Sequence, residues 1–298
     1  MEPDNSCSRI RTDETLRETV CHGSDEYPFK YYREDIWLFD FHCIDWHWHP
    51  EVEFVFVEKG SAEFLVGNGR HSLGAGAGLF INSQVIHRFE ASESVIIPNI
   101  VFSPALLSAE NSLIYRRYVK PLLDSSIEYQ IFSPDIPWQQ DVLSCLLDVF
   151  AAQKNTNLCE ILTAELLLKI WRTLYENTAI SERAPAASAS AHTQAQLQIM
   201  MQFIHKNFSE RITLADIAGC VSVSKSSALN IFKKYLHVSP VSYLVNYRLK
   251  RAAKLLTATD GSIDSIARDT GFESAGYFCR KFKELFGVTP GGYRRTGQ

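Results

Sequence analysis

The chain has 298 residues, 46% of them hydrophobic, which is length enough for two cores. No run of about 18 apolar residues occurs, which excludes a membrane-spanning helix, and its seven cysteines are scattered without a CxxC, which excludes a disulfide frame or a zinc knuckle. The net charge of −4 hides an asymmetry: residues 197–298 carry 15 Lys and Arg against 7 Asp and Glu, whereas residues 1–196 carry 15 against 27, so a basic end is attached to an acidic body.

Residues 1–26 are polar and mixed in charge, unlike a signal peptide, and read as a loosely ordered tail of a cytoplasmic protein. From 27 to 103 the pattern is all-β. Glu51 to Val57 and Ser61 to Val66 read as strands, Gly67-Asn68-Gly69 as a hairpin, and Leu79-Phe80-Ile81 as a further strand after the turn glycines 74, 76 and 78. Short strands with tight turns predict a small barrel or jelly roll. Within it, His47-x-His49-x3-Glu53-x6-Gly60 resembles the first cupin motif, and His87 falls where the second motif supplies a histidine. Imidazoles at i and i+2 share one side of a strand. Three imidazoles and a carboxylate suit a first-row transition metal, and enzymatic cupins hold iron, manganese or nickel in this way.

The reading preferred from the sequence is nevertheless a pocket for a small organic effector such as a sugar, formed by Trp46, His47, His49, Glu53 and His87, with no metal and no cofactor. Trp46, Trp48, Phe54 and Phe56 offer rings to stack on a sugar, or plain barrel core.

Residues 104–180 turn helical. Leu143, Leu146, Leu147 and Phe150 form one stripe, and Ile161, Leu162, Leu166, Ile170, Trp171 and Leu174 form another, with residues 154–157 between them. Two antiparallel amphipathic helices after a cupin-like barrel resemble a dimerisation hairpin; the residues alone read equally as a cover for the barrel. Residues 181–195 are rich in Ala and Ser and read as a linker. A domain of residues 196–298 follows, beginning with a helix from Gln196 to Phe208.

One pattern is written twice in that domain. Ile217-Ala218 matches Ile266-Ala267 at an offset of 49; Ser224, Phe232, Lys233 and Pro240 match Ser274, Phe282, Lys283 and Pro290 at 50. Each copy reads as helix, tight turn, helix. Thr213 and Asp216 suit a capping box. Ala228, Ile231, Phe232 and Tyr235 make the buried stripe of the first copy; Tyr277, Phe278 and Phe282 make that of the second. The facing positions are Lys225, Ser226, Leu229, Asn230 and Lys233 in the first copy, and Ala275, Gly276, Cys279, Arg280 and Lys283 in the second. This is helix-turn-helix patterning, whose second helix enters a DNA major groove.

The run GFESAGYFCRKFKELFGVTPGGYRR resembles the signature of the AraC/XylS family of bacterial transcription regulators, through all of 197–295. The resemblance implies two helix-turn-helix units joined by a long helix from Pro240, reading successive major grooves of double-stranded DNA. It also implies a homodimer, a small-molecule effector and RNA polymerase as a partner. Asn230 stands where the family commonly has Arg, and Ala275 and Gly276 where longer polar side chains are usual; these departures bear on base readout, not on fold. The expectation is an α+β multidomain chain: a ligand-responsive regulator, activating a metabolic operon, and not an enzyme. Its alternatives are a metal-dependent cupin enzyme fused to a DNA reader, and a constitutive DNA-binding dimer with an empty barrel.

Overall fold

The computed structural model describes residues 10–154, 157–178 and 186–296. The chain divides into two compact units, residues 1–192 and 193–298.

In the first unit, β1 (Phe29–Asp35), β3 (Val52–Phe56), β6 (Gly78–Ile81), β8 (Ile96–Phe102) and β9 (Tyr129–Phe132) form one antiparallel sheet, in the order β1-β8-β3-β6-β9. Facing it, β2 (Cys43–His47), β4 (Ser61–Val66), β5 (Gly69–Gly74) and β7 (His87–Glu90) form a second, in the order β2-β7-β4-β5. The expected hairpin is present: Val66 pairs with Gly69 across a two-residue turn in which Gly67 has φ +53°, a left-handed backbone that suits glycine.

Strand alternation assigns two cores. Val55, Val57, Leu79 and Ile81 point between the sheets and meet Ile44, Phe64, Val66 and Phe89. Their neighbours Val52, Phe54, Phe80, Ile100, Phe102 and Phe132 point the other way, beneath a helical layer. That layer comprises a short α1 (Lys120–Leu123), α2 (Pro137–Ala152) and α3 (Cys159–Asn177). Val142, Leu146, Val149, Leu167, Ile170, Trp171 and Leu174 pack down onto the sheet, each such side chain contributing about 1.5–3 kcal/mol by leaving water. Phe54 and Phe56 therefore belong to this layer, not to a sugar-stacking surface.

The helical stripes also need correction. Leu147 and Ile161 are 45% and 66% exposed, Leu162 and Leu166 are partly buried, and Thr163 and Leu167 are buried in their place. The buried stripe covers the barrel. A separate set, Leu147, Leu158, Ile161 and Leu168, is left apolar and exposed.

The expected tail is corrected as well. Residues 1–9 lie outside the described residues, but the segment from residue 10 is tied to the barrel. The Trp48 amide donates to the Leu16 carbonyl, the Glu18 amide donates to the Trp48 carbonyl, and the Trp48 indole donates to the Thr15 carbonyl. Leu16 and His22 are buried.

The second unit contains the capped helices. Of the expected linker, residues 181–185 lie outside the described residues; from Ala186 the chain is already helix. α4 (Ala186–Asn207) starts ten residues before the expected Gln196, because alanine is the strongest helix former. α5 (Leu214–Gly219) has the capping box, Thr213 and Asp216 exchanging side-chain-to-backbone bonds. α6 (Lys225–Leu236), α7 (Pro240–Ala258), α8 (Ile263–Asp269) and α9 (Ala275–Phe286) are each capped by the serine before them, Ser224, Ser239, Ser262 and Ser274. α10 (Pro290–Thr296) ends the unit.

The two copies turn alike. Val223 N–H donates to the Ala218 carbonyl and Phe272 N–H to Ala267, while Ser222 and Gly271, one residue earlier, take φ +55° and +82°. The extra residue of the second copy is therefore Glu273, which sits just before the capping serine and faces Arg211 at 3.3 Å.

Candidate nucleic-acid interface and barrel site

α6 and α9 each bury one face and present the other. Ala228, Ile231, Phe232, Tyr235 and Leu236 are buried on α6; Phe278 and Phe282 are buried on α9. Tyr277, expected in the buried set, is 38% exposed instead, with the Arg280 guanidinium over its ring at 5.4 Å. Lys225, Ser226, Asn230 and Lys233 are exposed on α6 and Leu229 is partly so; Gly276, Arg280 and Lys283 are exposed on α9, with Ala275 and Cys279 partly so. All ten expected positions thus lie on the outward faces of the two helices. Arg280 also lies 4.0 Å from Glu284, one turn on.

Not every basic group of this unit is free for an anion. Arg248 on α7 donates to the carbonyls of Phe208 and Glu210, both at 2.6 Å. Arg294 donates to the carbonyls of Leu256 and Gly261. These two arginines hold loops to the helices. Sequence reasoning counted them as plain positive charge.

In the first unit, four of the five expected ligand residues converge. His47 ends β2 directly opposite His87 on β7, and their rings are 4.0 Å apart. His49 follows two residues later on the same side, and Glu53 enters from the other sheet. Glu53 Oε2 lies 3.2 Å from His87 Nε2 and 3.5 Å from His49 Nε2. None of the four residues is more than 4% exposed. Trp46 is buried, but among the described residues no ring contact joins it to the histidines. Trp48 anchors the N-terminal segment through its indole N–H, with the Arg17 guanidinium 5.9 Å above its ring.

The protonation pattern follows from the backbone. His47 Nδ1 is 2.8 Å from the Asp45 carbonyl, His87 Nδ1 2.9 Å from Val85, and His49 Nδ1 3.3 Å from Glu51. A carbonyl only accepts, so each Nδ1 carries a hydrogen and each ring turns its Nε2 inward. Burial, with the adjacent His87 adding to it, pushes the His47 imidazolium down to about 3, so that ring is neutral. Burial works to raise the Glu53 carboxyl, but the facing His49 and His87 imidazoles overcome it and keep it ionised. Glu53 Oε2 and His87 Nε2 are close, yet neither has a hydrogen-bond partner of acceptable geometry.

The covering segment adds Glu18 and His22, which sequence reasoning missed; their i, i+4 spacing was the available signal. They pair at 3.2 Å, both buried. The His22 ring packs edge-on to His49 at 5.4 Å and its Nδ1 meets the Tyr32 hydroxyl at 2.9 Å.

Comparison with known proteins agrees with both halves. A helix-turn-helix domain model matches residues 217–296, and a cupin domain model matches residues 43–97. The HTH-type transcriptional regulator YdeC of Bacillus subtilis is 28% identical over 95% of this chain and 97% of its own. The melibiose operon regulatory protein of Escherichia coli is 24% identical over 85% and 84%. A solved transcriptional regulator with an AraC-type DNA-binding domain, from Chromobacterium violaceum, is 33% identical over 36% of this chain and 96% of its own, with a TM-score of 0.34. The chain belongs to the AraC family of transcription regulators.

As an AraC-family regulator it binds DNA. Among the described residues, no helix is long and apolar enough to cross a membrane. The cupin half of the family match raises the question of a metal. Three histidine nitrogens lie within 4.8 Å of one another, each ring oriented by a carbonyl behind it, and an ionised carboxylate stands beside them. Such backing of the distal nitrogen is how metal-binding histidines are held. His47, His49, His87 and Glu53 therefore fit a first-row divalent ion, for which an N3O donor set is suitable and which Mg²⁺ and Ca²⁺, seeking all-oxygen shells, would not favour.

Proposed function

We propose that this regulator binds double-stranded DNA as a homodimer, reading direct half-sites, and that a small effector held in the barrel alters its affinity. The observation that carries the reading is the pair of serine-capped helices α6 and α9, which present ten outward positions from the basic half of the chain. Asn230 suits bidentate pairing with adenine, Leu229 contact with a thymine methyl, and Arg280 a guanine. Lys225, Lys233 and Lys283 suit phosphates, as do the N-termini of the two helices.

For dimerisation, the exposed set Leu147, Leu158, Ile161 and Leu168 supplies an apolar face distinct from the one that covers the barrel. For effector control, support comes from the relative named for the melibiose operon and from the barrel cluster itself. The catalytic alternative gains nothing from the relatives, which are transcription regulators. In vitro selection of DNA sites by the full-length protein, with footprinting of the winners, tests the proposal. Protection of two direct half-sites by a dimer is expected; binding without any preferred sequence would refute it.

A further inference from the structure

We infer that Tyr277 is a positioning residue for sequence readout: its ring holds the Arg280 guanidinium in the pose that meets a guanine edge. Resting on the assignment of Arg280 to guanine above, this makes base preference in the second half-site depend on Tyr277, although the ring itself need touch no base.

α9 has few means of reading a base. Ala275 and Gly276 carry no hydrogen-bonding group, and a Cβ at Gly276 would meet nothing nearer than Ser274 Oγ at 3.7 Å, so the first turn of the helix is bare. Cys279 is partly buried, and a thiol is a weak donor. Lys283 is a point charge that suits a phosphate. Discrimination therefore falls to Arg280, whose planar fork matches O6 and N7 of guanine. That side chain is long and 67% exposed. Left to rotate, it would meet a phosphate as readily as a base and give affinity without sequence.

Its neighbours limit that rotation. Tyr277, Arg280 and Glu284 follow one another at i, i+3 and i+7, along one stripe of the helix. The guanidinium lies over the Tyr277 ring at 5.4 Å, inside the range of a cation–π contact. On its other side Glu284 Oε1 stands 4.0 Å from Arg280 Nε, while Glu284 Oε2 takes Lys281 Nζ at 2.6 Å. With its Nε side toward Glu284, the arginine has its two terminal nitrogens left for a bidentate pair. Tyr277 is itself held from behind. Its ring is 6.2 Å from that of buried Phe272. The Arg248 guanidinium lies 5.9 Å from the Phe272 ring and is fixed by the carbonyls of Phe208 and Glu210. Rings and guanidiniums thus run in one series from α7, through the turn, to the outer face of α9.

The repeat supplies an internal comparison. At the offset of 50, Tyr277 matches Ser227 and Arg280 matches Asn230. Asn230 is short and has little freedom to restrain, and Ser227 turns its hydroxyl to the Ser224 hydroxyl at 2.9 Å, within the cap. The ring stands in the copy with the long reading side chain and is missing from the copy with the short one. Packing does not explain the difference, because each helix buries aromatic rings of its own, Phe232 and Tyr235 in α6 and Phe278 and Phe282 in α9.

The test measures affinities of full-length protein, at one fixed salt concentration, for its selected site and for sites with each base pair of the second half changed in turn. Arg280→Ala should erase the preference at one guanine. Tyr277→Leu, which keeps apolar packing on Phe272 but offers no π face, should lower the preference at that same base pair by about three- to tenfold and leave the others in place. Tyr277→Phe should retain it within about twofold. Adding Tyr277→Leu to Arg280→Ala should cost nothing more, because the two act as one unit. Tyr277→Met serves the same purpose if the leucine variant fails to fold by circular dichroism. An unchanged preference in Tyr277→Leu would overturn the inference. So would a loss spread evenly over all sequences, or an equal loss in Tyr277→Phe, either of which would make the tyrosine a plain phosphate contact through its hydroxyl or a general support. If Arg280→Ala leaves every preference intact, the guanine assignment fails and this inference with it; if Arg280→Ala erases one and Tyr277→Leu does not, only this inference fails.

Discussion

Gly271 is where a single added methyl group should do most harm to the DNA-binding unit. Its φ of +82° costs an ordinary residue about 1–2 kcal/mol, offset by about 0.5–1 kcal/mol because alanine has less freedom to lose on folding. Space decides the sign. A Cβ at this position would lie 2.5 Å from the Phe208 carbonyl oxygen and 2.8 Å from Arg248 Nε, in the middle of the contact that holds α7 to the end of α4. The Arg248 bonds are charge-assisted, at about 1.5–3 kcal/mol each, and forcing one of them open brings the expected loss to about 1.5–4.5 kcal/mol. Ser222, at the matching turn, pays the same backbone strain without benefit, so Ser222→Gly should be neutral or stabilising by up to about 1 kcal/mol. All five tryptophans lie in the first unit, so tryptophan fluorescence follows the barrel while far-ultraviolet circular dichroism also follows the second unit. Urea melts of Gly271→Ala should show the dichroism transition moving to lower urea with the fluorescence transition in place. A loss below about 0.5 kcal/mol, or a Ser222→Gly variant less stable by more than about 1 kcal/mol, would refute this reasoning.

Three further outcomes are expected. Asn230→Ala should relax preference at one base pair, at about 1–3 kcal/mol for the lost bidentate pair, whereas Lys233→Ala should weaken all sequences alike; site selection with each variant distinguishes them. A fragment of residues 186–298 should bind DNA weakly, each phosphate contact adding about −0.9 to the log–log salt slope; titration at several salt concentrations reads that slope, and Arg248 and Arg294, committed to carbonyls, should not contribute to it. Ile161→Glu with Leu168→Glu should yield monomers in analytical ultracentrifugation where the wild-type chain sediments as the proposed dimer, while leaving the barrel's melting transition in place, because both side chains already face water.

Much of this architecture was legible because local chemistry and tertiary need coincide. The Thr213 and Ser224 caps, the Gly67-Asn68 turn and the i, i+3, i+4 stripe of α6 are each set by neighbours in sequence, and they appear where the residues put them. The histidine cluster was legible too, since the i, i+2 rule alone places His47 and His49 on one side. What was not legible depends on partners far along the chain. Phe54 alternates correctly in either register; only the helical layer, arriving some ninety residues later, shows that its ring belongs to the outer core. The tautomers of the three imidazoles depend on the carbonyls of Asp45, Glu51 and Val85, and no residue pattern records where a carbonyl points. That is why the sequence shows which residues converge but not which ring nitrogen each of them turns inward. Residues 10–26 looked like a tail because their polar composition conceals Leu16, Glu18 and His22, which become buried only against Trp48 and His49.

Footprinting of full-length protein on a self-selected DNA site tests the central claim most directly. The account predicts protection, for each protomer, of two successive major grooves about ten base pairs apart on one face of the helix, one set by Asn230 and its neighbours and the other centred on Arg280. Protection of a single groove, or salt-insensitive binding with no enriched sequence, would contradict it.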